Sequence, residues 1–344
     1  MAWGGQEIRI FTELKGLKNF GWNVQLWAPK DSEVYARSLA AGMDVNPIPF
    51  RGLHDLQSLY AVWQRACSTR PDVLVTHSSI DSWIAGLATR VMADRPKLVR
   101  TRHLSTPIGN FLSYRWFPDA ICATSAAIRD TLVKNGISES KVVAISTGVD
   151  LSRFPPEPAQ KNEMRNKFGL PTDRPLVGGV FVIRSWKGIY DFVKIVLAVP
   201  HAHFVVAGAG PSKESMEQAA DRLGVSRRMT FLGHVELVEE VFRALDVFLF
   251  PSTANEGIPQ ALLQAQACGI PAVVSDLPSI KEAASSATAC APGDVKGFAD
   301  AIHKILSSPA EARRMAEQGL EWVKQFDQSK ILRDIDRLYR GLIE

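Results

Sequence analysis

Short runs of apolar, β-branched residues alternate along the whole chain with stretches whose apolar positions recur every three or four residues. That alternation is the pattern of parallel strands buried on both faces and joined by amphipathic crossover helices. In the first half it predicts strands at 24–28, 73–76, 98–102, 120–124 and 142–145, with helices at 8–19, 56–68, 79–92 and 126–135. A charged passage rich in proline, 154–174, reads as a linker carrying a short helix at 161–168. Further strands are predicted at 176–182, 204–207, 229–232, 247–250 and 272–274, and the closing stretch 329–342 has near-helical apolar spacing. The chain has 344 residues, enough for two α/β domains with separate cores. Two doubly wound sheets of this kind bind ligands in a cleft at the carboxyl ends of their strands.

Residues 252–276 carry the most specific chemistry. The apolar run 247–250 is short enough for a buried strand, and 252–257 has loop composition. Pro259 suits a first helical turn because it has no N–H to leave unpaired, so a helix is expected at 259–268, ended by Gly269 and Pro271. Free amides near Gln260 and Ala261, with the positive end of the helix dipole, make a seat for a phosphate. Glu256 stands at the mouth of that seat, followed by Gly257 and Ile258. Gln264 lies one turn inside the helix, on the face of Gln260. Read without that context, Glu256 merely caps a helix and Gln264 is solvated.

The segment resembles the donor-binding signature of the retaining family 4 (group 1) glycosyltransferases of GT-B fold, Glu-Gly-x-x-x-x-Leu-Leu-Glu-Ala-x-Ala-x-Gly-x-Pro-Val-Val. The resemblance covers nearly the whole chain. It implies two Rossmann-like domains facing across a cleft: 1–155 for the acceptor and 165–327 for the nucleotide-sugar donor, with a helix at 328–344 crossing back to the first. It also implies that Glu256 contacts the transferred sugar, and Gln264 stands where a second Glu would contact the ribose. An amide can still bond a ribose diol, without the charge-assisted strength of a carboxylate. The family opens with an apolar strand leading into a Gly-Gly loop, whereas this chain begins Met1-Ala2-Trp3-Gly4-Gly5, at that loop. The first, central strand of the N-terminal domain is therefore expected to be missing, its two neighbours lacking partners along one edge, as from a truncated chain or misassigned start. Gly4 and Gly5 would let backbone approach a donor phosphate closely.

Other segments fit the same template. Val180-Phe-Val-Ile-Arg-Ser-Trp-Lys-Gly188 resembles the family's Arg-x-x-Lys-Gly phosphate clamp, so Arg184 and Lys187 would neutralise the leaving diphosphate; alone, they could be two solvated cations. His103, in Val-Arg-Thr-Arg-His, matches a histidine that in the family points toward the sugar and phosphate. His77 also follows a strand and opens a helix, with Ser78 or Ser79 as cap and Asp81 in the first turn, and is an acceptor-side candidate. Gly208 belongs to a Gly-Ala-Gly-Pro loop, where Lys213 in place of a third glycine argues against a nicotinamide site. Gly233-His234-Val235 resembles the loop that reads the nucleobase. The turn 146–150, Ser-Thr-Gly-Val-Asp, resembles the one that closes the family's first domain. The His77 and His103 segments resemble a subgroup associated with bacterial lipopolysaccharide and other surface glycans.

Composition excludes more than it identifies. The net charge of +4 is too small to argue for nucleic acid, and no apolar run approaches a membrane span or signal peptide. A cytoplasmic protein is expected; the charge is compatible with peripheral contact at the cytoplasmic face of the inner membrane. The aromatic segment 111–117 could touch a membrane or simply pack on the first domain. Cys67, Cys122, Cys268 and Cys290 lack metal-ligand spacing and read as free, buried thiols. No cofactor or metal is expected, and the partners implied by the resemblance are a UDP- or GDP-linked sugar and a glycan or glycolipid acceptor. The implied reaction is metal-independent glycosyl transfer with retention. An inactive nucleotide-sugar-binding protein, a GT-B epimerase or phosphorylase, and an α/β module without sugar ligand stay open as alternatives.

Overall fold

In this computed structural model residues 3–109, 111–284 and 286–344 are described. The chain divides into two compact units, residues 1–148 with 329–344, and residues 149–328. Unit 1 runs α1 (Gly5–Lys18), β1 (Gln25–Ala28), α2 (Glu33–Ala40), β2 (Asp44–Pro47), α3 (Leu56–Thr69), β3 (Val73–Thr76), α4 (Ser79–Arg90), β4 (Lys97–Arg102), α5 (Leu112–Arg115), β5 (Ala120–Ala123), α6 (Ala126–Lys134) and β6 (Val142–Ala144). Unit 2 runs α7 (Lys161–Lys167), β7 (Leu176–Val180), α8 (Ile189–Ala198), β8 (His203–Ala207), α9 (Lys213–Arg222), β9 (Met229–Gly233), α10 (Val238–Ala244), β10 (Val247–Phe250), α11 (Gln260–Ala267), β11 (Ala272–Ser275), α12 (Pro278–Ala283), β12 (Thr288–Cys290), α13 (Val295–Ser307) and α14 (Pro309–Val323). The last helix, α15 (Gln328–Ile343), belongs to unit 1 for all but its first residue.

Unit 2 is one parallel sheet in the order β12-β11-β10-β7-β8-β9. The chain builds outward from β7 in one direction, then returns beside β7 with β10 and builds in the other. The β7–β10 border is thus the topological switch point, where crossover connections diverge and leave a crevice at the carboxyl ends. Strand β10, Val-Phe-Leu-Phe, is buried at every position, as a central parallel strand must be.

Unit 1 holds two separate parallel pieces, β1-β2 and β3-β4-β5-β6. Among the described residues β1 pairs only with β2 and β3 only with β4, so each has one edge without a strand neighbour. Helix α15 packs its Ile331, Ile335 and Tyr339 into a core with Leu17, Val99 and Ala120. It comes so close to α1 that a β-carbon on Gly16 would lie 2.3 Å from Leu332 Cδ1.

Several expectations need correction. Residues 154–174 are no linker: Phe154, Met164 and Leu170 are buried in the unit 2 core, and Arg165 bonds the Ala244 carbonyl and Asp246. Helix α1 starts three residues before the predicted 8, because Gly4 takes the extended cap position and its N–H donates to Glu7 Oε2 at 3.1 Å. Pro259 is the residue before α11, with ψ 115°, not part of the first turn. Cys67 is exposed, although all four cysteines are free and the other three are buried. The aromatic segment splits: Tyr114 and Phe117 are buried, and Trp116 is exposed.

Candidate functional site

At the switch point of unit 2 two loops are tied together. The loop after β10 approaches the one after β7, where the Thr253 N–H donates to the Trp186 carbonyl at 2.8 Å. Gly188 has φ +68°, and a β-carbon there would lie 1.9 Å from the Pro251 carbonyl oxygen, so only glycine permits this approach. Asn255 takes the left-handed region at φ 62°, an uncommon backbone that turns the next residue inward. That residue, Glu256, is 4% exposed. Its carboxylate accepts from Lys187 Nζ at 2.7 and 2.9 Å, and the same ammonium stands 4.7 Å from the Phe250 ring centroid.

Around this ion pair lie the other candidates of the unit. Arg184 stacks over Trp186 at 5.1 Å and has no carboxylate partner among the described residues. Gly257 and Ile258 are buried and lead into α11. The α11 first-turn amides of Leu262 and Leu263 bond the Pro259 carbonyl, whereas those of Gln260 and Ala261 have no partner among the described residues. Two buried side-chain oxygens nearby, Ser252 Oγ and Gln260 Oε1, are also unsatisfied, and the half-buried Gln264 follows one turn along. Gly208 has φ +137° and sits against the Phe181 carbonyl, so its close packing explains it without a ligand. Its N–H donates to the Gly233 carbonyl at 2.7 Å, linking it to the loop where His234 meets Glu236 at 3.1 Å and Val235 is half-buried.

In unit 1 parallel register sets the geometry. Thr76 pairs with Arg100, so His77 and His103 both emerge beyond the carboxyl ends of adjacent strands. His77 Nδ1 lies 3.1 Å from His103 Nε2, with the rings tilted by 30°. Burial, then the charge of Arg9, holds the His77 pKa down at about 3; burial, then the His77 ring, holds His103 well below its ordinary value. Both imidazoles are therefore neutral near pH 7, one donating to the other. Behind them Ser78 caps α4 and Asp81 accepts from the His77 and Ser78 N–H groups. Gly4 and Gly5 open α1, with space around Gly5 but with the Gly4 N–H already bonded to Glu7.

Sequence reasoning missed two residues here, beside Tyr114 of the aromatic segment. Arg100 and Arg102 alternate on β4 toward the same face, with their Cζ atoms 3.5 and 5.9 Å from the Tyr114 ring centroid. The signal was available as Arg-x-Arg at the end of a buried strand, where a charge is costly unless it has work to do.

Comparison with known proteins adds an independent view. A family model described as "Glycosyl transferases group 1" matches residues 160–322, and "Glycosyltransferase Family 4" matches residues 3–153. The chain is similar to the 2-deoxystreptamine glucosyltransferase of Streptomyces kanamyceticus, 28% identical over 198 residues, 55% of this chain and 51% of that one. It is also similar to the D-inositol 3-phosphate glycosyltransferase of Mycolicibacterium smegmatis, 29% identical over 210 residues, 58% of this chain and 48% of the other. The chain spans about half the length of the curated relatives it matches. Its fold is that of Anabaena Alr3699/HepE in complex with UDP-glucose, with TM-score 0.89, 19% identity, and 98% and 96% of the two chains covered. A glycosyltransferase from Rickettsia africae superposes with TM-score 0.86 at 17% identity, covering 99% of this chain and 96% of that one.

Proposed function

From the premise that this chain belongs with the family 4 and group 1 glycosyltransferases, over residues 3–153 and 160–322, and has their GT-B fold, we propose that it transfers a sugar from a nucleotide diphosphate sugar to an acceptor hydroxyl with retention at the anomeric carbon. The observation that carries the reading is the Lys187–Glu256 pair at the switch point of unit 2, beside the two unpartnered amides that open α11. Amides and dipole suit a diphosphate, Lys187 and Arg184 would offset the charge that grows on it as the glycosidic bond breaks, and Glu256 would hold the sugar hydroxyls. These fixed positive groups could supply what a divalent cation supplies elsewhere, which supports metal-independent transfer. The bond from the anomeric carbon to the donor phosphate breaks, the bond to the acceptor oxygen forms on the same face, and the acceptor proton passes to the departing diphosphate. His103, neutral and held by His77, would act as a hydrogen-bonding group rather than a cation. Unit 1 would take the acceptor and unit 2 the donor.

The finer assignments extend the same proposal. A UDP-linked donor is favoured by the UDP-glucose bound in the HepE structure. A surface-glycan acceptor is supported by the His77 and His103 segments, and work at the cytoplasmic membrane face by the net charge of +4; among the described residues no helix is long and apolar enough to cross a membrane. Calorimetric titration with UDP- and GDP-linked sugars, without added metal, tests the reading on the wild-type chain and Glu256→Ala. One sugar nucleotide should bind at micromolar strength and weaken about tenfold in the variant. A folded chain that binds neither would overturn it, and product anomers read by NMR would decide retention.

A further inference from the structure

The end of β4 contains two guanidinium groups that form no ion pair among the described residues, with Asp81 acting on Arg100 only through space. Arg100 is 3% exposed, yet among the described residues it forms no ion pair. Its Nη1 donates to Ser113 Oγ at 2.5 Å and its Nη2 to Ser79 Oγ at 3.4 Å, both neutral acceptors. Arg102, half-buried and two residues on, spends Nη2 on the carbonyl and hydroxyl of Thr106 and likewise has no carboxylate. The acid nearest in role, Asp81, is committed to the backbone N–H groups that cap α4, and burial raises its pKa, which weakens it further as a counterion. Tyr114, 1% exposed, packs its ring 3.5 Å from Arg100 Cζ and 5.9 Å from Arg102 Cζ, and its Oη donates to no acceptor among the described residues. A buried cation left without an anion is costly, and a buried phenol that donates to nothing adds to that cost. Other arginines in unit 1 show the usual solution: Arg9 pairs with Glu13 and Arg95 forms a bidentate pair with Asp119.

We propose that Arg102, backed by Arg100 and by the Tyr114 hydroxyl, binds an anionic group, carboxylate or phosphate, carried by the acceptor beside its reacting hydroxyl. The inference rests on the transferase reading for the word acceptor, but the site itself stands on unit 1 alone. Guanidinium groups suit a carboxylate or phosphate because their donors are planar and forked, and a phenol adds a neutral donor without competing charge. The two imidazoles, at the ends of β3 and β4, are neutral and so add no further positive charge beside the guanidinium groups. An acceptor class follows: uronic acids or phosphorylated sugars, in preference to neutral hexosides.

Ligand-observed NMR titration of the full chain with methyl β-glucuronide, glucose 6-phosphate, methyl β-glucoside and inorganic phosphate, at fixed ionic strength, tests this. UDP titration serves as an independent reading of unit 2. At least one anionic sugar should bind about tenfold more tightly than the neutral glucoside, and Arg102→Gln should abolish that preference while leaving UDP affinity within about twofold. Arg102→Lys, which keeps the charge but loses the fork, should restore part of the preference, and this separates recognition from a folding defect. Equal affinities for charged and neutral sugars, or a preference that survives Arg102→Gln, would overturn the proposal. Inorganic phosphate binding as tightly as glucose 6-phosphate would also overturn it, by showing a site for a free ion. If the anionic sugars bind as expected and UDP does not, the anion site stands and the transferase reading falls.

Discussion

Replacing Lys187 by methionine keeps most of the side-chain stem and removes the ammonium, which leaves the Glu256 carboxylate, 4% exposed, without its cation. Breaking a fully buried pair from one side costs about 3–5 kcal/mol, mostly the desolvation of the charge left behind. The Lys187 side chain is 16% exposed and that of Glu256 is 5% exposed, so water recovers part of this and we expect about 2–3 kcal/mol. Glu256→Gln removes the opposite charge and strands the ammonium against the Phe250 ring, which offsets some of its loss, so this variant should lose about 1–2 kcal/mol. The double variant Lys187→Met/Glu256→Gln has no stranded charge. It should be more stable than the sum of the single losses predicts, by about 1 kcal/mol or more of coupling. Urea unfolding at pH 7 followed by tryptophan fluorescence is suitable, because Trp186 stands next to Lys187 in the affected loop. With a slope of about 2–3 kcal/mol per molar urea, Lys187→Met should move the unit 2 midpoint down by about 1 M. Single variants within about 0.5 kcal/mol of wild type, or strictly additive losses, would show that the pair carries no coupling and that the site is not electrostatically closed.

Three further outcomes follow. The His77 pKa is held at about 3 in the folded chain against 6.5 when unfolded, so the unfolded chain takes up the extra proton below pH 6.5. The stability this contributes is complete above that pH and is lost as pH falls toward about 3, a loss of about 2 kcal/mol at pH 5, which thermal melts should show in wild type and show reduced in His77→Gln. A thiol-reactive maleimide at pH 7 should label Cys67 quickly and leave Cys122, Cys268 and Cys290 unmodified until unfolding, because burial pushes their pKa values to about 11, 12 and 11; mass spectrometry of digests counts the adducts. Gly188→Ala forces a β-carbon against the Pro251 carbonyl in a left-handed backbone and should cost about 2–4 kcal/mol, read as a lower urea midpoint for unit 2.

What the sequence made legible is what local spacing encodes. Strand β10 and helix α11 are bounded by a continuous apolar run, by Pro259 and by Gly269, all within one short segment, and the structure places them within a residue of expectation. The strands overlooked have weaker local signals: β2 is Asp-Val-Asn-Pro at a sheet edge, and β12 is three residues long. The site divides in the same way. Glu256 could be singled out because its neighbours in sequence announce a loop before a helix, but its bond to Lys187 joins residues 69 apart and depends on β7 and β10 meeting at the switch point. His77 and His103 were each readable as strand-end residues, and their 3.1 Å contact required only that β3 and β4 be neighbours in register. Arg100 and Arg102 show the remaining limit. A strand-end arginine carries no mark of whether a carboxylate waits for it, since that depends on every element packed around it. In Arg95 the answer is Asp119, 24 residues away; in Arg100 it is a tyrosine ring and two serines. Charge identity is local in the sequence, but charge compensation is a property of the packed unit, so a cation that stays uncompensated after folding is information that only the structure holds.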